Sequence, residues 1–393
     1  MTSTGKIVRI AVIGATGSVG ASVLDICSRF PERFRVMALA ARSNADKLLE
    51  MCMRFRARYA CLAVSSAEIA RNFQKNGTEL LSGKEALESV AELPCVDHVV
   101  FASSGTGAII ALQRALAAGK DVSLANKESI VAAGQWVMPL VKRSDQLRPL
   151  DSEHSAIWQC LRGEARKDAA RILLTASGGP FRDFSVKRME NITPEDALRH
   201  PVWNMGAKIT IDSSNLMNKG IECIEAMRLF DMPPDRVGAL IHPSSQVHGI
   251  VEFNDGTIKL LFYRPDMRIP SLAALAWPER PSVAGIKELE PPCPEEWALN
   301  FYPPDLVRFP CLRIALEAGR RGGAYPPLLI GADEAAVRAF MNRRISFLSI
   351  SNIIESVLEK YSGPSPSALS DAMELISEGE RMADEICSSF SGR

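Results

Sequence analysis

Two acids, Asp151 and Glu153, stand in the run Asp151-Ser152-Glu153-His154 shortly after Pro149. In an extended segment, side chains at i and i+2 leave the same face, so the pair offers hard carboxylate oxygens to one Mg²⁺ or Mn²⁺. The same residues also read as a helix N-cap with a glutamate nearby, and the pair alone leaves both readings open. A second cluster, Asn218, Lys219 and Glu222, falls at i, i+1 and i+4. On a helix this gathers an amide, an ammonium and a carboxylate, with a solvated polar face as the plain alternative. Ser177 precedes Gly178-Gly179, a permissive backbone suited to an oxyanion or phosphate. His200 keeps company with Trp203 and Met205 before Gly206, and the stretch 178–206 reads as a segment able to close over a ligand. His98, His242 and His248 lack such company and are read as structural.

A third motif is Gly14-Ala15-Thr16-Gly17-Ser18-Val19-Gly20, which follows the apolar run Ile7 to Ile13 and precedes a helical pattern beginning near Ala21. Strand, glycine turn and helix in that order bring backbone amides and a helix N-terminus onto a pyrophosphate. The next strand ends in Ala41-Arg42-Ser43-Asn44, where an NAD-selective site would place a carboxylate. Arg42, Ser43 and Asn44 suit a 2′-phosphate instead, so NADPH is the expected cofactor.

The elements that must hold these residues fall into blocks. Short β-branched runs near residues 7–13, 36–40, 96–102 and 121–124 alternate with helical patterns, which predicts a parallel sheet of Rossmann-like type over 1–150. From 151 to about 285 the strand-like stretches 171–176, 208–211, 247–253 and 257–262, the last two flanking Asn254-Asp255-Gly256, predict a central α+β domain. Prolines crowd 286–311, read as a linker, and helical spacing fills 312–393.

Composition sets outer bounds. A chain of 393 residues, 47% hydrophobic, exceeds one core. Its 46 basic and 46 acidic residues cancel, which removes the electrostatic case for a nucleic-acid or membrane-surface binder. No apolar run is long enough for a membrane span, the N-terminus reads as lacking a signal peptide, and nine scattered cysteines read as reduced core thiols. A cytoplasmic location is therefore expected.

The glycine turn, Leu124-Ala125-Asn126-Lys127-Glu128-Ser129, Asp151 to Ala156, Ala176 to Phe181, His200 to Gly206 and Met217-Asn218-Lys219-Gly220 together resemble the 1-deoxy-D-xylulose 5-phosphate reductoisomerases. The likeness continues, in order, through His242-Pro243, Pro265 to Pro270, Pro278-Glu279-Arg280 and Arg308 to Leu312. The resemblance implies Asp151, Glu153 and Glu222 as metal ligands. It implies a substrate shell of Lys127, Ser152, Glu153, Ser177, His200, Ser213, Asn218, Lys219 and Glu222, with Ser177, Ser213, Asn218 and Lys219 on the phosphate. Lys127, His200 and the three acids would be catalytic. Thr16, Gly17, Ser18, Val19, Arg42, Ser43, Asn44, Asn126, Glu128 and Gly206 would line the NADPH site. The implied reaction is rearrangement and NADPH-dependent reduction of a phosphorylated ketose by a homodimer, with a divalent metal polarising the carbonyl.

Some residues depart from the family's wording: Arg42 where glycine is more usual, Val202 and Asn204 around Trp203, and the run Leu329 to Ala335, where asparagine is commoner. That last run is expected to act in domain packing or dimer contact. Two other readings stand beside this one: an NADP-dependent dehydrogenase of another phosphorylated polyol, and a silent NADP-binding regulator.

Overall fold

The structure is a computed structural model that describes residues 7–199, 203 and 205–390. Two compact units emerge. The first runs to Ser129 and adds Pro139–Ser155 and Asp266–Glu290; the second holds Ile130–Met138, Ala156–Pro265 and the chain from Pro291 onward.

The first unit carries a seven-stranded sheet of β1 (Val8–Ile13), β2 (Phe34–Ala41), β3 (Tyr59–Leu62), β4 (Glu79–Leu81), β5 (His98–Phe101), β6 (Asp121–Leu124) and β7 (Leu147–Pro149). Their order is β4-β3-β2-β1-β5-β6-β7, and every pair is parallel. Ile10 to Ile13 and all of β5 are buried, as strands covered on both faces by helices must be. The chain leaves β1 toward β2 on one side and reaches β5 on the other, so the order reverses between β1 and β5. In such sheets ligands bind off the carboxyl ends of the strands at this switch point.

The second unit's sheet joins β8 (Ala169–Ala176), β9 (Val237–Ile241), β10 (Val247–Phe253) and β11 (Ile258–Phe262) in the order β11-β10-β8-β9. β10 is antiparallel to both neighbours, β8 and β9 are parallel, and the β10–β11 hairpin turns through Asn254-Asp255-Gly256. Helices Pro310–Arg321, Tyr325–Met341, Ser349–Lys360 and Leu369–Phe390 follow. The architecture is α/β in the first unit, with α+β and all-helical parts in the second. The run Leu329 to Ala335 lies within Tyr325–Met341, nearly all buried. A Cβ on Gly331 would stand 1.9 Å from the Ile376 carbonyl oxygen, so two helix backbones touch there. Asp333 is fully buried and ion-paired with Lys208.

Two local expectations are corrected. The run 208–211 is helical, within Ala207–Ser214. Three β-branched residues are too few to override the extended Gly206 that starts the turn, whose carbonyl accepts the Thr210 N–H and hydroxyl, or the Lys208–Asp212 ion pair at 2.6 Å. Asp151 and Glu153 do not share an extended segment either, because helix Ser152–Cys160 begins between them. Asp151 stands at the N-cap position: Ser155 N donates to its carbonyl at 2.8 Å, and its Oδ1 accepts from the adjacent Ser152 N at 3.1 Å.

The three histidines read as structural sit in packed surroundings. His248 stacks on Tyr263 and His242 on Phe301. His98 is buried and shares a 2.7 Å hydrogen bond with the Ser123 hydroxyl. Burial first, then the Arg148 guanidinium, hold its imidazole well below the ordinary value, against a smaller pull from Asp97. The folded chain keeps His98 neutral while the unfolded chain protonates it below about pH 6.5. Stability therefore rises with pH through that window and is lost as pH falls. Replacing His98→Gln should flatten the fall in unfolding free energy between about pH 7 and 5; denaturant titrations with parallel slopes for both proteins would exclude the effect.

Candidate functional site

The glycine turn is built by backbone alone. Gly14 and Ala15 donate to the Ala40 carbonyl, both at 2.9 Å, which ties the turn after β1 to the end of β2. Gly14 has φ +86°, and a Cβ there would meet the Ser103 nitrogen at 2.5 Å. Helix Ser18–Arg29 then starts from Gly17 without a side-chain cap. Its first amides are therefore presented off the strand ends, as a pyrophosphate requires.

Other residues expected at the cofactor converge on the same end of the sheet. Arg42 and Ser43 are exposed after β2, and Asn44 caps helix Ala45–Phe55 by accepting from Lys47 N at 3.1 Å. After β6, Asn126 donates to the carbonyls of Ser103 and Gly105 at 2.8 and 2.7 Å, and Glu128 accepts from Gly105 N at 3.2 Å. The sequence reading passed over this Ser103–Gly105 loop, although Ser-Ser-Gly-Thr-Gly directly after a strand is itself a signal. Gly206 belongs to the second unit and starts helix Ala207–Ser214.

In the first unit, Lys127 opens a helix just beyond β6, and Asp151 sits just beyond β7. Their Nζ and Oδ2 lie 2.6 Å apart, with side chains 7% and 15% exposed. His154, which follows the acid pair, is fully buried with Nδ1 3.8 Å from the same oxygen. Burial alone would push the Asp151 carboxyl up, but the Lys127 ammonium and then His154 hold it far below the usual carboxylate range. Ser152 donates to Glu153 Oε2 at 2.6 Å. The outcome is two carboxylates at the mouth of a helix, with Asp151 held in its ionised form.

In the second unit, helix Met217–Leu229 carries Asn218, Lys219 and Glu222 on neighbouring turns. Asn218 Nδ2 donates to Glu222 Oε1 at 2.5 Å and Lys219 Nζ pairs with Oε2. Lys219 and Glu222 are buried, so the plain reading of a solvated polar face is excluded. Ser177, just beyond β8, accepts from Gly179 N at 3.2 Å, and a Cβ on Gly179 would stand 2.9 Å from the Ser213 carbonyl oxygen. The serine loop thus lies against the end of helix Ala207–Ser214, which brings Ser177 and Ser213 into one neighbourhood.

Of the segment 178–206, His200, Val202 and Asn204 lie outside the described residues. Trp203 packs edge-on to His248, ring centroids 6.2 Å apart, and Met205 is half-buried.

The donors fit what they are expected to hold. Carboxylate oxygens suit a hard dication, and the uncapped helix start with the Arg42-Ser43-Asn44 turn suits a phosphorylated dinucleotide.

Three family models cover most of the chain: 1-deoxy-D-xylulose 5-phosphate reductoisomerase over residues 10–134, its C-terminal domain over 147–230, and the DXP reductoisomerase C-terminal domain over 263–382. The 1-deoxy-D-xylulose 5-phosphate reductoisomerase of Chlorobaculum tepidum is 43% identical over 368 residues, 93% of this chain and 96% of that one. That of Methylococcus capsulatus is 43% identical over 389 residues, 96% and 98% of the two chains. The solved reductoisomerase of Zymomonas mobilis in complex with NADPH superposes with TM-score 0.88 at 37% identity, over 98% of this chain and 100% of that one. A DOX-P reductoisomerase with NADPH, fosmidomycin and magnesium gives 0.88 at 35%, over 98% of each.

Breaking a buried ion pair strands the remaining charge at a cost of about 3–5 kcal/mol. Lys127→Met should therefore lower unfolding free energy by an amount of that order when measured in EDTA. A change below about 1 kcal/mol, the scale of an exposed pair, would show that Asp151 does not depend on Lys127.

Proposed function

From the premise that this chain belongs to the 1-deoxy-D-xylulose 5-phosphate reductoisomerase family, we propose that Asp151, Glu153 and Glu222 hold its divalent cation. The protein is an NADP-dependent oxidoreductase that converts 1-deoxy-D-xylulose 5-phosphate to 2-C-methyl-D-erythritol 4-phosphate, a step of isoprenoid precursor synthesis. Its cofactors are NADPH and a divalent metal. The observation that carries the ligand assignment is the donor set: the three acids offer one carboxylate oxygen apiece, and two of them are paired with buried lysines.

Bound metal supplies Lewis-acid polarisation of the ketose oxygens and NADPH supplies the hydride. The chain's residues do the rest. Lys127 keeps Asp151 ionised and offers its remaining N–H donors to the substrate's hydroxyl and carbonyl end. Lys219 and Asn218 hold Glu222 in place and, with Ser177 and Ser213, donate to the substrate phosphate. Ser152, Glu153 and His200 complete the substrate shell. Thr16, Gly17, Ser18 and Val19 bind the pyrophosphate, Arg42, Ser43 and Asn44 the 2′-phosphate, and Asn126, Glu128 and Gly206 belong with them among the NADPH-binding residues. Trp203 and Met205 cover the bound aldehyde stage against water.

We also propose a homodimer, supported by apolar side chains on the edge strand β11 and its neighbour segment, where Ile258, Leu260, Trp297 and Leu299 are exposed. A cytoplasmic location is supported by nine free thiols, the state a reducing compartment maintains. No described helix is long and apolar enough to cross a membrane.

With ketose phosphate, the purified protein should oxidise NADPH steadily, stop in EDTA and resume with Mg²⁺ or Mn²⁺. NMR of the product should show the branched carbon skeleton; an unbranched polyol would instead mark a plain dehydrogenase. Glu222→Gln should lower turnover by a hundredfold or so, the scale of a lost oriented charge, while NADPH still binds. Near-normal rates at limiting metal would remove Glu222 from the ligand set.

A further inference from the structure

The geometry points to Lys47 as a second cation of the NADPH 2′-phosphate pocket, a specificity-determining residue beyond the Arg42-Ser43-Asn44 turn. The inference rests on the reading of that turn as the 2′-phosphate site. Lys47 lies in the first turn of helix Ala45–Phe55, and its own N–H is capped by the Asn44 side chain at 3.1 Å. Its side chain reaches back across the sheet end, and Nζ donates to the Thr16 carbonyl at 2.8 Å. Thr16 belongs to the glycine turn, whose Gly14 and Ala15 amides are tied to Ala40 near the end of β2. One lysine therefore bridges the turn that takes the pyrophosphate and the turn that takes the ribose.

Two features say that this ammonium faces an anion. A helix N-terminus carries partial positive charge, so a lysine in the first turn is electrostatically misplaced unless a negative group lies close. The exposed Asp46 beside it offsets part of that charge, but Lys47 makes its one described side-chain hydrogen bond to a carbonyl, not a carboxylate. An ammonium has three donors, so the Thr16 bond leaves two for phosphate oxygens. The same bond fixes the long side chain in place, which lowers the entropy lost on binding. With Arg42 after β2, Lys47 gives a dianionic phosphate two charge-assisted partners and gives a plain ribose hydroxyl no such advantage.

The test measures NADPH and NADH dissociation constants by nicotinamide fluorescence for the parent protein, Lys47→Gln, Lys47→Arg and Arg42→Asp. Lys47→Gln should weaken NADPH about tenfold, the scale of one charge-assisted contact, and move NADH less than about twofold. Lys47→Arg should restore most of the difference. Equal weakening of both dinucleotides would reduce Lys47 to a prop for the glycine turn, and no weakening would remove it from the site; either overturns the inference. Arg42→Asp serves as the separate check on the underlying reading and should weaken NADPH far more than NADH. If it leaves the cofactor ratio unchanged, the 2′-phosphate is not bound at this turn at all.

Discussion

A carboxylate withdrawn from water must have a cation within reach or take up a proton, and two of the acids expected at the site meet that constraint with a lysine. Lys127 lies against Asp151 in the first unit and Lys219 against Glu222 in the second. In each case the lysine is itself nearly buried, so neither partner is tolerable without the other. At Asp151 the arrangement keeps the acid ionised in a poorly hydrated interior, the state in which carboxylate oxygens suit a dication. The charges that stabilise the fold at these two places are carried by the same side chains proposed to act on metal and substrate.

The scaffold explains where those pairs stand. In the first unit, the turns after β1, β2, β5 and β6 leave the same end of a parallel sheet, on either side of the point where strand order reverses. Lys127 and Asp151 follow β6 and β7, so this ion pair and the glycine turn are set by strands of one sheet. In the second unit, the Gly179 backbone rests on the carbonyl of Ser213, and helix Met217–Leu229 follows immediately. Serine loop and lysine helix form one neighbourhood because backbone meets backbone.

Some of the site was readable as types at spacings. Gly14 to Gly20 after an apolar run, and the missing acid after β2, pointed to a phosphorylated dinucleotide before any coordinates. The acids at 151 and 153 were found for a partly mistaken reason: an extended segment was expected, but a helix begins at Ser152, and Asp151 caps it. Lys208 to Ile211 went wrong because a three-residue β-branched run weighs little against a flanking glycine and an i, i+4 ion pair. Lys47 was missed because nothing along the chain announces a lysine reaching a carbonyl thirty-one positions away, and His154 because its approach to Asp151 needs the helix that begins between them; the Ser103–Gly105 loop, by contrast, carried a readable signal in its serines and glycines.

What the sequence alone determined is the chemistry on offer: hard oxygen donors, glycine turns, phosphate-sized serines and amides, and a family wording that runs from end to end. These follow from residue type and short spacing, which are local properties. Tertiary structure decided which charges are paired, which are buried, and which stretches of chain belong together, including the return of Asp266–Glu290 to the first unit. Burial and pairing depend on contacts between residues far apart in the chain. Only folding brings those residues within the few ångströms over which a desolvated charge is stabilised.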